Sequence, residues 1–311
     1  MNNAWASLLA FALAIALQSA PHAAETAGVS WVEARGGTAY PVDGSSGTAT
    51  GTGTAAGHAS GLALVDFNSR PIGDADLVGL ATLGPVYALD LSKTRITDAG
   101  LKQVAGLKSL ERFAADNTGI GDPGVAQLAG LTHLRRLSLF GTKVTTRGMR
   151  SLRGLTGLNT VILDGTQVDG NVIHYLTASA RGLEELSLAH TPLADPGFAE
   201  IAKLTHLRVL SLTGTRISNA ALKALSQLHG LRSLQLDGTG VTADGLSSLG
   251  KLTALEVLSL DDTSVGDEAV PYLIQMKGLK VLSLVGSHVS AASVEKLRSA
   301  LVGCDIRVGG E

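Results

Sequence analysis

Residues 207–230 read LRVLSLTGTRISNAALKALSQLHG, and residues 231–254 read LRSLQLDGTGVTADGLSSLGKLTA. Both stretches place leucine at their first, fourth, sixth, sixteenth, nineteenth and twenty-second positions, threonine at the ninth, and isoleucine or valine at the eleventh. Further copies begin at Leu62, Val86, Leu110, Leu134, Leu158, Leu183, Leu255 and Leu279. The spacing is 24 residues throughout, except for 25 between Leu158 and Leu183. The shared pattern is LxxLxLxxTx(I/V)xDxGLxxLxxL, which the copy starting at Val86 displays through Leu89, Leu91, Thr94, Ile96, Asp98, Gly100, Leu101, Val104 and Leu107. A fixed period of this length is the sequence sign of a solenoid, in which each unit buries its apolar side against its neighbours.

The offsets predict the geometry of one unit. Apolar residues at positions 4 and 6 alternate with other side chains at 3, 5 and 7, the period-2 signature of a short strand with one buried face. Positions 16, 19 and 22, such as Leu222, Leu225 and Leu228, follow helical spacing. A Ser, Thr or Asp ahead of them, such as Ser218 or Asp267, is placed to accept from the first helical turn. The unit is therefore strand, turn, helix. The threonine row at position 9 is expected to bond the turn backbone of the adjacent unit.

Taken together, these residues resemble the leucine-rich repeat, in a bacterial variety with Thr where many members carry Asn, over about residues 62–308. The resemblance implies an α/β solenoid, a curved horseshoe with a parallel sheet on the concave face and helices on the convex face. It further implies that the concave face binds other proteins. The array is also similar to those of F-box ubiquitin-ligase adaptors and GALA-type effectors, which carry a helical F-box ahead of their repeats; no Leu-Pro-rich helical motif precedes this one.

Composition agrees with a small repeated core. Of 311 residues 45% are apolar but only 4% aromatic, and 38 are glycine. A formal charge of −2 provides no basic field for nucleic acid. The single cysteine, Cys304, excludes an internal disulfide, and it is expected to be a small buried residue in a strand that closes the sheet.

Residues 1–24 form a candidate secretory signal: the apolar run from Ala4 to Leu17 is short for a membrane span and is followed by small residues. An uncleaved anchor is the alternative. Residues 25–44 are expected to cap the first repeat, through a helix around Trp31 and Val32, a turn at Gly36–Gly37, and a strand. Residues 45–61 are a Gly/Ser/Thr/Ala loop, the array runs over 62–302, and a closing strand and tail occupy 303–311. The expected localisation is periplasmic or secreted, with no membrane insertion after signal cleavage.

No nucleophile, metal or phosphate-loop motif of the common kinds occurs, so no catalytic or metal residue is assigned and no cofactor is expected. Asp116, Asp164, Asp237 and Asp261 align at position 7, where they read as a solvated acidic row. Function is expected at positions 3, 5 and 7 of the concave face. The candidate binding residues are Arg112, Asp116, Arg136, Phe140, Ile162, Asp164, Asp237 and Asp261. Phe140 and Ile162, apolar side chains flanked by arginine, have the composition of an interface hot spot. A protein partner of a monomeric, non-enzymatic chain is one reading, and a cell-envelope scaffold without a specific client is the other. The extra residue near His174 and Tyr175 is expected either to bulge the convex side harmlessly or to form a second contact surface.

Overall fold

The structure is a computed structural model that describes residues 27–41 and 62–309. The proposed signal, the Gly/Ser/Thr/Ala loop and the last two residues lie outside the described residues.

One sheet of twelve strands runs the length of the array in chain order. Its members are β1 (Thr38–Pro41), β2 (Leu62–Asp66), β3 (Ala88–Asp90), β4 (Arg112–Ala114), β5 (Arg136–Ser138), β6 (Thr160–Ile162), β7 (Glu185–Ser187), β8 (Val209–Ser211), β9 (Ser233–Gln235), β10 (Val257–Ser259), β11 (Val281–Ser283) and β12 (Asp305–Arg307). From β2 onward every pairing is parallel and in register, each residue opposite its equivalent in the next repeat. Leucines at positions 4 and 6 point to the other side of the sheet, into one continuous core that also takes in positions 11, 16, 19 and 22. The opposite layer is thinner than a row of regular helices. It alternates short α-helices such as Thr146–Arg150 and Asn219–Leu225 with 3-10 turns such as Phe198–Lys203 and Ser247–Lys251. Strands stack at ~4.8 Å whereas helices with side chains need ~10 Å, so the array bends with the sheet on its inner side.

Position 8 explains how each strand turns away. Its residue has positive φ in every repeat: Gly141, Gly165, Gly214, Gly238 and Gly286, but also Ser69, Lys93, Asn117, His190 and Asp262. The next residue is the repeating threonine, and here the expectation is corrected. Thr142 Oγ1 donates to Leu139 O at 2.7 Å, and Thr94, Thr118, Thr166, Thr191, Thr215, Thr239 and Thr263 make the same bond three residues back. The hydroxyl closes its own turn, not its neighbour's, because positive φ at position 8 folds the chain back over the position-6 carbonyl.

The adjacent unit is reached instead by position 13. Asp122 accepts from Thr145 N at 2.8 Å and from Thr145 Oγ1 at 2.7 Å, and Thr145 in turn caps the following helix by accepting from Arg147 N. Asp74 serves Thr97, Asp98 serves Gly121, Asp195 serves Ser218, Asn219 serves Thr242 and Asp267 serves Ser290 in the same way. Asp267 is thus a bridge between repeats and not the cap of its own helical turn, whose N-cap is Gly266. Glycine at position 15 follows from this bridge: a Cβ on Gly124 or Gly148 would overlap the carboxylate of Asp98 or Asp122 from the preceding repeat.

Two local features complete the frame. The 25-residue repeat absorbs its extra residue in a longer helix, Asn171–Ser179, and leaves the pairing of β6 with β7 unshifted. At the N-terminal end the helix Ala27–Glu33 and the antiparallel β1 cover the first repeat; Val32 is buried and the Trp31 ring meets Phe67 edge-on at 6.3 Å. Arg35 lies over Trp31 and donates from Nε to Asp76 O at 2.8 Å, tying this cap to the array. At the other end Cys304 stands just before β12 and is half-buried, and burial pushes its thiol pKa up. No helix among the described residues is long and apolar enough to cross a membrane.

Candidate functional site

Strand alternation leaves the side chains at positions 3, 5 and 7 outside the core, and in register they form rows running across the sheet. The rows line a groove of about 510 Å³ extending from Asp116 and Ser138 to Ser283 and Arg307. Phe140, Ile162, Asp164, Asp237 and Asp261 lie in its lining together with Asp116, so six of the eight candidate residues share one surface.

The arginines stand at its N-terminal margin. Arg112 and Arg136 are paired in register on β4 and β5 and both are half-buried. Burial, then the neighbouring Arg136 charge, pulls the pKa of Arg112 down. Arg136 Nη2 reaches Glu185 Oε2 at 3.6 Å across the intervening strand, where Thr160 Oγ1 also faces Glu185. The apolar pair is less prominent than the sequence suggests. Phe140 is half-buried, whereas Ile162 is only 8% exposed because its neighbours close over it. Ile162 therefore contributes to the groove floor and not to an exposed anchor.

The aspartate row is also different from a solvated one. Asp116 Oδ1 accepts from Ser138 Oγ at 2.5 Å and Phe140 N at 3.0 Å; Asp164 Oδ1 accepts from Ala189 N at 2.8 Å; Asp237 Oδ1 accepts from Asp261 N at 2.9 Å; Asp261 Oδ1 accepts from Val285 N at 2.8 Å. Each carboxylate takes up the position-7 amide of the next repeat, just beyond the end of the strand ladder. The aspartates are half-buried. Burial raises the Asp116 pKa to about 6, against the lowering effect of its two donors, and burial likewise raises Asp164 and Asp237. No ion pair reaches these four aspartates among the described residues.

Smaller side chains complete the face. Position 5 carries small hydroxyls, Ser187, Ser211, Ser259 and Ser283, while position 3 carries Val209, Val257 and Val281. Glu185, the partner of Arg136, was legible only once the strands had been placed in register. His190 also lines the groove, beside Asp164, whereas Nδ1 of His133 faces Lys108 O and that of His206 faces Arg181 O; among the described residues no group of three or more His, Cys, Asp or Glu is disposed to hold a metal.

The repeating strand, Thr-closed turn and helix, with in-register parallel pairing, is the geometry of one repeat family. A family model described as Leucine Rich repeat matches residues 88–105, 130–152 and 203–226. This is a leucine-rich repeat protein. Among solved structures, an internalin of Listeria monocytogenes shares its fold with a TM-score of 0.52 at 16% identity, over 80% of this chain and 86% of that one. Internalin C2 of the same organism aligns with a TM-score of 0.46 at 26% identity, over 60% of this chain and 76% of that one. No curated protein matches the chain. The leucine-rich repeats support a protein-interaction module.

Proposed function

We propose that this leucine-rich repeat protein is exported and holds a protein partner on its sheet face, acting by binding and not by catalysis. The observation that carries the reading is the continuous groove across β5 to β12, lined mostly by side chains that the core does not use. The carboxylates in it are committed to backbone amides of the next repeat, which suits a binding surface of fixed shape better than proton transfer. Phe140, bordered by Arg136 and Asp116, is the anchor, and Arg112, Asp164, Asp237 and Asp261 lie along the same face. Export is supported by the apolar run at Ala4–Leu17, residues 25–44 act as a cap, and the chain works as a monomer.

The test has two parts. The mature chain, recovered from cell fractions, is expected to start near Ala24 or Glu25 and to leave the cytoplasm; a full-length cytoplasmic chain overturns export. Cross-linking of a captured partner is expected to map to the groove, and Phe140→Ala or Arg136→Glu to weaken capture at least tenfold without lowering the thermal midpoint. Cross-links confined to the helix side would sink the sheet-face reading.

A further inference from the structure

Charge is unevenly shared along the sheet face. From β6 to β11 positions 3, 5 and 7 carry Asp164, Glu185, Asp237 and Asp261 and no Lys or Arg, in a chain whose formal charge is only −2. Arg136 reaches Glu185, which leaves three carboxylates whose donors are neutral hydroxyls and amides. Neutral donors hold a carboxylate in place without cancelling its charge, and the bent sheet gathers these fields over one trough.

The trough has two unlike walls. Val209, Val257 and Val281 at position 3 form an apolar side, Asp164, Asp237 and Asp261 at position 7 an acidic side, and the serines of position 5 a shallow floor between them. Ser233 interrupts the apolar wall. It sits in register between Val209 and Val257, is only 6% exposed, and its Oγ has no hydrogen-bond partner among the described residues. A buried hydroxyl without a partner is left with an unmet hydrogen bond and marks a break in the valine row.

We infer that the trough takes an extended, cationic segment of the partner protein, with lysine or arginine facing the aspartate wall and apolar side chains facing the valines. The inference rests on the sheet-face reading above and names the chemistry of what is bound. Dimensions fit this occupant. Six strands at ~4.8 Å give a trough of about 24 Å, which an extended chain at ~3.3 Å per residue fills with about seven residues. Asp164 and Asp237 lie three strands apart, about 14 Å, close to the ~13 Å between residues i and i+4 of an extended chain. A lysine pair at that spacing meets both carboxylates at once, with successive side chains alternating between the two walls.

Fluorescence anisotropy on the folded chain tests this with two labelled heptapeptides, Ala-Lys-Val-Ser-Val-Lys-Ala, whose lysines stand at i and i+4, and the same peptide with glutamate for lysine. The lysine peptide is expected to bind at least tenfold more tightly at low salt, and to weaken by at least tenfold with the double variant Asp164→Asn/Asp237→Asn. Asparagine keeps the acceptor for Ala189 N and Asp261 N, so the fold is retained, and Glu256→Gln, off the trough, is the control that leaves binding unchanged. Equal or tighter binding of the glutamate peptide, or indifference to the double variant, overturns the inference. A partner captured through Phe140 but insensitive to Asp164→Asn/Asp237→Asn would overturn it too while leaving sheet-face binding intact; a partner cross-linked only to the helix side would remove both.

Discussion

Replacing Asp122 by alanine removes one bridge between two repeats while leaving the core untouched. The Asp122 carboxylate accepts from Thr145 N and Thr145 Oγ1, at 2.8 and 2.7 Å, and steadies the hydroxyl that caps the helix Thr146–Arg150. A bond to a charged acceptor contributes about 1.5–3 kcal/mol when buried, and a lost N-cap about 1 kcal/mol. Asp122 and Thr145 are both half-buried, which places the total near the lower end, about 2–3 kcal/mol. The chain supplies its own control, because Asn219 makes the equivalent bridge, accepting from Thr242 N at 3.0 Å and donating to Thr242 Oγ1 at 2.8 Å. Asp122→Asn is therefore expected to cost less than about 1 kcal/mol. Urea unfolding followed by circular dichroism, with Thr145→Val and the double variants completing a cycle, gives the coupling between the two residues. If Asp122→Asn costs as much as Asp122→Ala, or if the alanine variant is within about 0.5 kcal/mol of the wild type, the bridge contributes nothing and the reasoning fails.

Three further outcomes are expected. Asp116 has its pKa raised to about 6 from 3.8, so the folded state holds this proton more tightly than the unfolded chain, and stability falls as pH rises through that window. Relative to the wild type, Asp116→Asn should gain up to about 3 kcal/mol between those two pH values, read from denaturation curves across the range; a flat difference would refute the burial argument. Thr142→Val leaves the Leu139 carbonyl without its 2.7 Å donor inside the turn and should lower stability by about 1–2 kcal/mol, whereas an unchanged midpoint would show the bond to be replaceable. At position 8, Lys93→Gly should raise the thermal midpoint by relieving positive φ, while Gly214→Ala, whose Cβ would lie 2.8 Å from His190 Cε1, should lower it; the reverse order would contradict the assignment of the turn.

How far the fold could be read beforehand depends on what kind of contact each residue makes. Leu207, Leu210 and Leu212 announce a buried strand because their partners are copies of themselves one period away, and strand, register and solenoid all follow from that recurrence. The threonine and aspartate rows were visible as rows, but their hydrogen bonds were not. Thr142 could reach either its own turn or the next, and only the positive φ at Gly141 decides. Asp267 and Asp122 resemble helix caps in sequence because a cap and a bridge to the next cap call for the same carboxylate one residue apart. The face itself was legible by position but not by depth: Phe140 and Ile162 carry similar apolar side chains, yet neighbouring side chains cover Ile162 and leave Phe140 half-buried. Glu185 was missed since its meaning comes from Arg136, two strands away.

The bridges at position 13 all point one way. Asp74, Asp98, Asp122, Asp195, Asn219 and Asp267 each serve a residue further along the chain, and none serves one behind it. The first repeat closes Gly73 N on its own Asp76, while Gly170, Ala243 and Ala291 at position 13 supply no side-chain acceptor. A ribosome makes the chain in that same direction, so every carboxylate is already in place when the amide it will receive emerges. Assembly can advance one unit at a time behind the growing end, with each finished repeat serving as the template for the next.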